Sequence, residues 1–307
     1  MARTVLVLGA NGRFGLAAKR AFSEAGWEVK THRRGRDNLW DSAWGAEVIV
    51  NAWNPPYQHW ARDLPGLTEE VIAVAKASGA TVILPGNVYV YGKGSPELLC
   101  PDTPHRATNT LGRLRIEMEA AYRASGVRTI ILRGGDFIDT AASGNWFDKV
   151  IVAPLRRGRI TYPARFDLPR AWAFLPDMAR ATVMLAERRA SLPAFVDLPF
   201  AGYTLTAAEL CAGLSEATGR SLRLRPMAWW PIQALTPFWP LARHLVEMRY
   251  LWDMPHRLDS RPLAAVLPDF VPTPVVEALA LAVEYQIDPD QPVARRRGHH
   301  FGKRVTG

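Results

Sequence analysis

The sequence predicts an α/β protein built on a doubly wound parallel sheet, followed by a smaller C-terminal α/β lobe. Three observations carry this. Val5-Leu-Val-Leu-Gly-Ala-Asn-Gly-Arg-Phe-Gly15 is a short apolar β-type run that breaks into glycines at G-x-x-G-x-x-G spacing, and an alanine-rich helical stretch follows it. Apolar runs and helical patterns then alternate to about residue 135, after which the regular alternation fades. The apolar runs lack a polar face, as strands covered on both sides do.

In order, residues 4–8 read as the first strand and 13–25 as the first helix, stopped by Gly26. Strands follow over 27–32 and 47–51. A helix over 68–78 is closed by Gly79, and 80–84 is the fourth strand. Residues 111–125 are helical up to Gly126, and 127–133 form the fifth strand. A helix over 177–188 and a strand over 195–198 rejoin the sheet. The helix over 206–218 is capped by Thr206 and stopped by Gly219. This places a nucleotide-binding Rossmann domain in 1–170, rejoined by about 173–198, a substrate lobe in 199–292 and a basic flexible tail in 293–307. The region 227–252 is rich in tryptophan (Trp229, Trp230, Trp239, Trp252) and proline (Pro231, Pro237, Pro240). These prolines break any continuous amphipathic helix, so aromatic packing in the lobe is expected rather than an interfacial membrane segment.

Composition narrows the function classes. At 307 residues, 48% hydrophobic and 22% charged, the chain has ordinary globular content. Of its net charge of +9, five units lie in the last thirteen residues, leaving about +4 elsewhere. Such a tail attracts polyanions nonspecifically, and no specific nucleic-acid partner is expected. His299 and His300 read as tail residues, and no metal site is expected. Cys100 and Cys211 are too few for a disulfide framework or a zinc site. The first strand starts almost at Met1, and no apolar run reaches the roughly 20 residues of a membrane span. A cytoplasmic protein with a small-molecule substrate is expected, its oligomeric state open.

The glycine turn has specific chemistry. Gly9 permits the tight turn, Gly12 lets backbone approach a diphosphate, and Gly15 lets helix and strand pack closely. The helix N-terminus offers free N–H groups and positive charge. Asn11, Arg13 and Phe14 complete this cofactor-binding stretch. The end of the second strand carries Arg33 and Arg34 where an NAD site usually has an acid, and no acid appears before Asp37. A guanidinium binds a 2′-phosphate that a carboxylate would repel. NADP(H) is therefore expected in preference to NAD(H), although a merely solvated basic loop is the bland alternative.

Further segments occur in a consistent order. They are Asn51-Ala-Trp-Asn-Pro-Pro-Tyr57, Asn87-Val-Tyr-Val-Tyr-Gly92, Asp102-Thr-Pro104, Leu132-Arg-Gly-Gly-Asp-Phe137 and Pro176-Asp-Met-Ala179. With the glycines, they resemble the extended short-chain dehydrogenase/reductase family of the NAD-dependent epimerase/dehydratase type, especially its atypical members, over about residues 1–200. The resemblance implies a cofactor loop at Ala52 and Trp53 and a substrate-shaping loop at Asp136 and Phe137; a helix-cap role for Asp136 is the alternative.

The departure from that family falls on its Tyr-x-x-x-Lys pair, where this chain has Leu111-Gly-Arg-Leu-Arg115. Leucine transfers no proton. Arg115 either holds the nicotinamide ribose or pairs with Glu119 one turn on. Period 2 would set Asn87, Tyr89 and Tyr91 on one face. Asn87 would then orient a substrate carbonyl and Tyr89 donate the proton, against packing or stacking as the alternative for Tyr89; Tyr91 reads as structural. Two functions follow. One is an NADP(H)-dependent oxidoreductase or epimerase acting on a polar hydroxyl or carbonyl metabolite such as a nucleotide sugar. The other is a non-catalytic NADP(H)-binding redox sensor or scaffold.

Overall fold

Every residue of Thr4–Leu8 (β1) is buried, as only an interior strand covered on both faces allows. The computed structural model describes residues 3–287. After β1 the chain turns into α1 (Arg13–Glu24) and returns as the edge strand β2 (Glu28–His32). A short α2 (Leu39–Ala43) precedes β3 (Val48–Asn51), and the long α3 (Trp60–Ser78) precedes β4 (Thr81–Gly86). The two-residue β5 (Leu98–Leu99) and α4 (Thr110–Ser125) lead to β6 (Thr129–Arg133). Then come β7 (Asp136–Ile138), β8 (Arg159–Tyr162), β9 (Arg170–Phe174), α5 (Leu175–Arg188) and β10 (Phe195–Pro199).

Six of these strands form one sheet in the order β10-β6-β4-β3-β1-β2, with every neighbouring pair parallel. The connection from β1 runs outward to β2, and the next crosses back to β3. The switch point therefore lies between β1 and β3, and the crevice beyond their C-terminal ends is where such sheets take ligands. Alternation within each strand divides the core. Leu6, Leu8, Ile49, Val82 and Leu84 meet Val71 and Val74 of α3 and Leu111 and Tyr122 of α4. Val5, Val7, Val48, Val50 and Ile83 meet Phe14, Ala18 and Phe22 of α1 and Met178 and Leu185 of α5.

The remaining elements follow. β11 (Tyr203–Leu205) pairs antiparallel with β9, whose other neighbour is β7. Thr206 caps α6 (Ala207–Thr218) in a reciprocal box with Glu209, and Gly219 ends it in the left-handed conformation. β12 (Arg223–Pro226) pairs parallel with β8, and β13 (Arg257–Leu258) with β5. The helices α7 (Trp230–Ala234) and α8 (Pro240–Glu247) follow, α9 (Arg261–Val266) returns to the central sheet with Leu263 in its second core, and α10 (Val275–Val283) packs on α6. A third core joins Phe147, Tyr162 and Trp172 to Leu210, Trp229, Trp252 and Leu279.

Two expectations need correction. The helix expected over 68–78 starts at Trp60 and contains Pro65. Burial of Trp60 and Leu64 against the sheet, with the Trp60 indole donating to the Pro55 carbonyl at 2.8 Å, offsets the hydrogen bond that Pro65 removes. The aromatic packing expected over 227–252 holds for Trp229 and Trp252, but Trp230 and Phe238 stand 71% and 86% exposed. The expected tail, His299 and His300 included, lies outside the described residues. Among the described residues, no helix is long and apolar enough to cross a membrane.

Candidate active site

Beyond β1, Gly9 has φ +73°, a left-handed conformation that a side chain disfavours. A Cβ there would sit 2.7 Å from the Ala52 carbonyl oxygen, and one on Gly15 only 2.1 Å from that of Gly9. The Gly12 N–H closes the turn onto the Gly9 carbonyl at 2.8 Å. Gly12 also caps α1, without a side-chain cap and without an acid in the first turn. The result is a cradle lined by backbone at a helix N-terminus with uncompensated N–H groups, at the switch point of the sheet. It fits the diphosphate of a dinucleotide.

The residues around the cradle divide. Asn11 is exposed at the tip of the turn. The Arg13 Nε donates to the Ser143 carbonyl at 2.8 Å and its Nη2 to that of Gly144, which ties the turn to the loop after β7. Phe14 is buried in the sheet's second core. Ala52 abuts Gly9, and Trp53 lies edge-on to His32 at 5.5 Å, with its N–H on the Asn51 side chain at 3.2 Å.

At the end of β2, Arg33 and Arg34 are exposed. Asp37 is nearer than its sequence position implies, because the turn folds back on itself. Its carboxylate accepts the Arg33 N–H at 2.7 Å and pairs with the Arg33 guanidinium at 3.1 Å. These bonds hold the Asp37 carboxyl below its ordinary pKa.

Beyond β4, the extended face expected for residues 87–91 does not form. Val88–Val90 is a turn of 3-10 helix, and the Asn87 Oδ1 caps it by accepting the Tyr89 N–H at 3.0 Å. Alternation therefore does not group Asn87, Tyr89 and Tyr91; Tyr91 is buried in the core. The Tyr89 hydroxyl instead lies 2.7 Å from that of Tyr57, in the turn Tyr57–His59 after β3. Tyr57 stands edge-on to Trp60 at 5.1 Å, and the Arg115 guanidinium lies over the Trp60 ring at 4.6 Å. Arg115 Nη2 donates to Asn54 Oδ1 at 3.1 Å, while its Nε is buried without a hydrogen-bond partner. Burial raises both phenols, Tyr89 well above its ordinary pKa, and Asp136 adds to the rise; the Tyr89 hydrogen bond and Arg13 oppose it in Tyr57, and Arg115 opposes it weakly in both. Burial also lowers the pKa of Arg115.

The pairing of Arg115 with Glu119 considered above does not occur, because Arg133 takes Glu119. The fully buried Arg133 binds Glu119 Oε2 at 2.7 Å, both oxygens of Asp197, and the Asn87 carbonyl at 2.6 Å. His105 completes a group with Glu119 and Asp197 whose ligand atoms lie within 4.8 Å. Arg133 already occupies both carboxylates with hydrogen bonds there, so they are not free to ligate a cation. Asp136 pairs with the buried Arg170 rather than capping a helix, and Phe137 packs half-buried on the second core. Arg170 lies over the Trp252 ring at 3.8 Å. Leu111, in the family's tyrosine position, is fully buried and apolar.

Tyr57, Asn54 and Trp60 are the residues that the sequence did not single out. Only the shared loop 51–57 pointed towards them.

No protein-family model matches the sequence, and no curated protein matches it. Solved structures do. The human epimerase family protein SDR39U1, solved with NADPH, is 20% identical with a TM-score of 0.70, over 92% of this chain and 99% of that one. MoeE5, solved with UDP-glucose and NAD, is 18% identical with a TM-score of 0.69, over 93% and 98%. A putative epimerase from Burkholderia cenocepacia J2315 is 17% identical with a TM-score of 0.70, over 92% and 97%. The chain thus has the Rossmann-type α/β fold of the NAD-dependent epimerase/dehydratase enzymes.

Proposed function

We propose that the protein is an NADP(H)-dependent oxidoreductase or epimerase acting on a hydroxyl or carbonyl carbon of a polar metabolite such as a nucleotide sugar. The observation that carries this is the backbone-lined cradle of Gly9, Gly12 and Gly15 at the switch point, with paired tyrosine hydroxyls beyond the adjacent strands β3 and β4. When bound, the nicotinamide would supply or accept a hydride. The chain's own residues supply the rest. The α1 N-terminus binds the diphosphate, and the loop at Ala52 and Trp53 walls the crevice. Tyr89 gives a proton to the substrate oxygen and recovers one from Tyr57 across their hydrogen bond. Arg115 stabilises the negative charge that develops on the phenol, as a buried cation without a contacting carboxylate can. Asn87 steadies the Tyr89 turn, while Asp136 and Phe137 border the substrate space.

The phosphate preference rests on Arg33 and Arg34. Arg33 neutralises Asp37, so the carboxylate near the β2 end no longer opposes a 2′-phosphate, and Arg34 adds a second cation. That neighbouring folds were solved with NADPH and with NAD is compatible with either cofactor. Titration of protein fluorescence decides it: NADPH binds more tightly than NADH on this reading, and the reverse order rejects it. Leu111 favours one second reading, a sensor that binds NADP(H) without turnover. Oxidation of NADPH, or interconversion of substrates, across a panel of carbonyls and nucleotide sugars excludes the sensor.

A further inference from the structure

Between Glu216 and Glu247 the chain has no acidic residue and four arginines, Arg220, Arg223, Arg225 and Arg243. In β12, Arg223 and Arg225 are exposed while Leu224 between them is half-buried. Arg159 of β8 lies opposite Arg223 in register and is likewise exposed. Arg157, Arg159, Arg223 and Arg225 line one open cleft of about 380 Å³, together with Ser221. None of these four has an acidic partner among the described residues. Like charges in register repel, so this ribbon is an incomplete surface awaiting negative charge.

β12 runs directly into a hairpin of α7 and α8 with four large apolar side chains in the open: Trp230 and Phe238, and also Leu235 and Trp239 at 46% and 40% exposure. The hairpin is braced. The Trp229 indole donates to the Pro163 carbonyl at 2.7 Å, and Arg243 donates to the Thr236 carbonyl at 2.8 Å. Pro231 and Pro240 stand in the first turns of α7 and α8. At its base, Glu247 accepts the Thr110 N–H at 2.6 Å, at the start of the helix that carries Arg115. An apolar cluster fixed in water in this way marks an interaction surface.

We infer that the hairpin and the arginine ribbon together form an interfacial module that docks the protein on an anionic lipid bilayer. Indole and phenyl rings settle at headgroup depth, where an apolar body meets a wet rim, and guanidinium groups pair with lipid phosphates. A second copy of the chain is a poor occupant, because it would set arginine against arginine. The inference does not depend on the proposed chemistry.

Co-sedimentation of the full chain with vesicles tests it. Binding to phosphatidylcholine containing about one third phosphatidylserine should exceed binding to phosphatidylcholine alone at least about tenfold, and weaken with salt. The variant Trp230→Ala/Phe238→Ala/Trp239→Ala should lose most binding to the anionic vesicles. Arg223→Glu/Arg225→Glu should lose both the binding and its salt dependence, although the tail arginines remain. Circular dichroism and melting of both variants should match the parent, since the altered side chains are exposed. Equal partition into the two vesicle types, or no binding to either, overturns the inference. So does retained binding in either folded variant, or a dimer in sedimentation velocity that the aromatic substitutions dissolve.

Discussion

Arg133 and Arg115 are both buried arginines, 0% and 8% exposed, and the structure predicts unequal consequences for replacing each by methionine. Arg133 satisfies two carboxylates and a carbonyl. Without it, Glu119 and Asp197 face each other as buried, uncompensated charges, and breaking such a group costs about 3–5 kcal/mol. Arg115 has no acidic partner in contact and one unpaired Nε. Arg115→Met gives up a charged hydrogen bond to Asn54, worth about 1.5–3 kcal/mol, and a ring contact with Trp60, worth about 1–2 kcal/mol. It recovers the several kcal/mol that desolvating the guanidinium costs. Gain and losses are of similar size, so the net change should lie within about 2 kcal/mol of zero. Urea unfolding at pH 7 measures both, read from midpoints at unchanged m. Losses of similar size in the two variants, or an Arg133→Met loss below about 1 kcal/mol, would refute this account of the two charges.

Tyr89→Phe should lower kcat with an active substrate by about 10²–10⁴-fold, and Tyr57→Phe by less, with NADPH affinity little changed in either. Since burial raises both phenols, the reductive rate should show no tyrosine titration below pH 10. Gly15→Ala, whose methyl would meet the Gly9 carbonyl oxygen at 2.1 Å, should abolish NADPH binding in a fluorescence titration. Buried His256 has its pKa lowered by burial from 6.5 to about 4. On acidification the unfolded chain takes up this proton first, so the contribution is complete above pH 6.5 and drains away towards pH 4, by roughly 3 kcal/mol. His256→Asn should flatten the stability profile in that window, as urea midpoints at pH 5 and pH 7 would show.

The parts that were legible in the sequence are those where the backbone itself demands a residue type. Gly9 and Gly15 are written into the chain because any side chain there would collide with a carbonyl, and Gly79 and Gly126 because helices end there in the left-handed conformation. Less legible were the places where tertiary contacts overrode a local rule. Pro65 and Gly66 look like a helix boundary, yet Trp60 and Leu64 bury enough surface to carry α3 through them. Asn-Val-Tyr-Val-Tyr reads as a strand, but Gly86 ends β4, and Asn87 caps a turn whose valines are buried all the same. The helical spacing of Arg115 and Glu119 promised an ion pair, and Arg133, fourteen residues further on in the chain from Glu119, took the carboxylate. Tyr57 closed a segment the sequence marked only as a cofactor loop, because only the fold brings the loop after β3 against the turn after β4.

That meeting of loops is what makes Leu111 intelligible. A helix-borne tyrosine reaches a reacting carbon from one side of the crevice. In this chain that position is packed with core, and the phenols come from the ends of two adjacent strands. The loop 51–57 then serves both halves of the proposed reaction. Ala52 closes against Gly9 at one end of it, and Tyr57 meets Tyr89 at the other. Arg115 still rises from the helix, but it is held by Trp60 and Asn54, neighbours of that same loop. Asn54 and Trp60 offset part of its desolvation, and no carboxylate contacts it directly. The chain thus carries an apolar residue at Leu111 and a buried cation one turn on at Arg115, and the proposed proton transfer gives that cation a partner as a phenolate shared between Tyr57 and Tyr89.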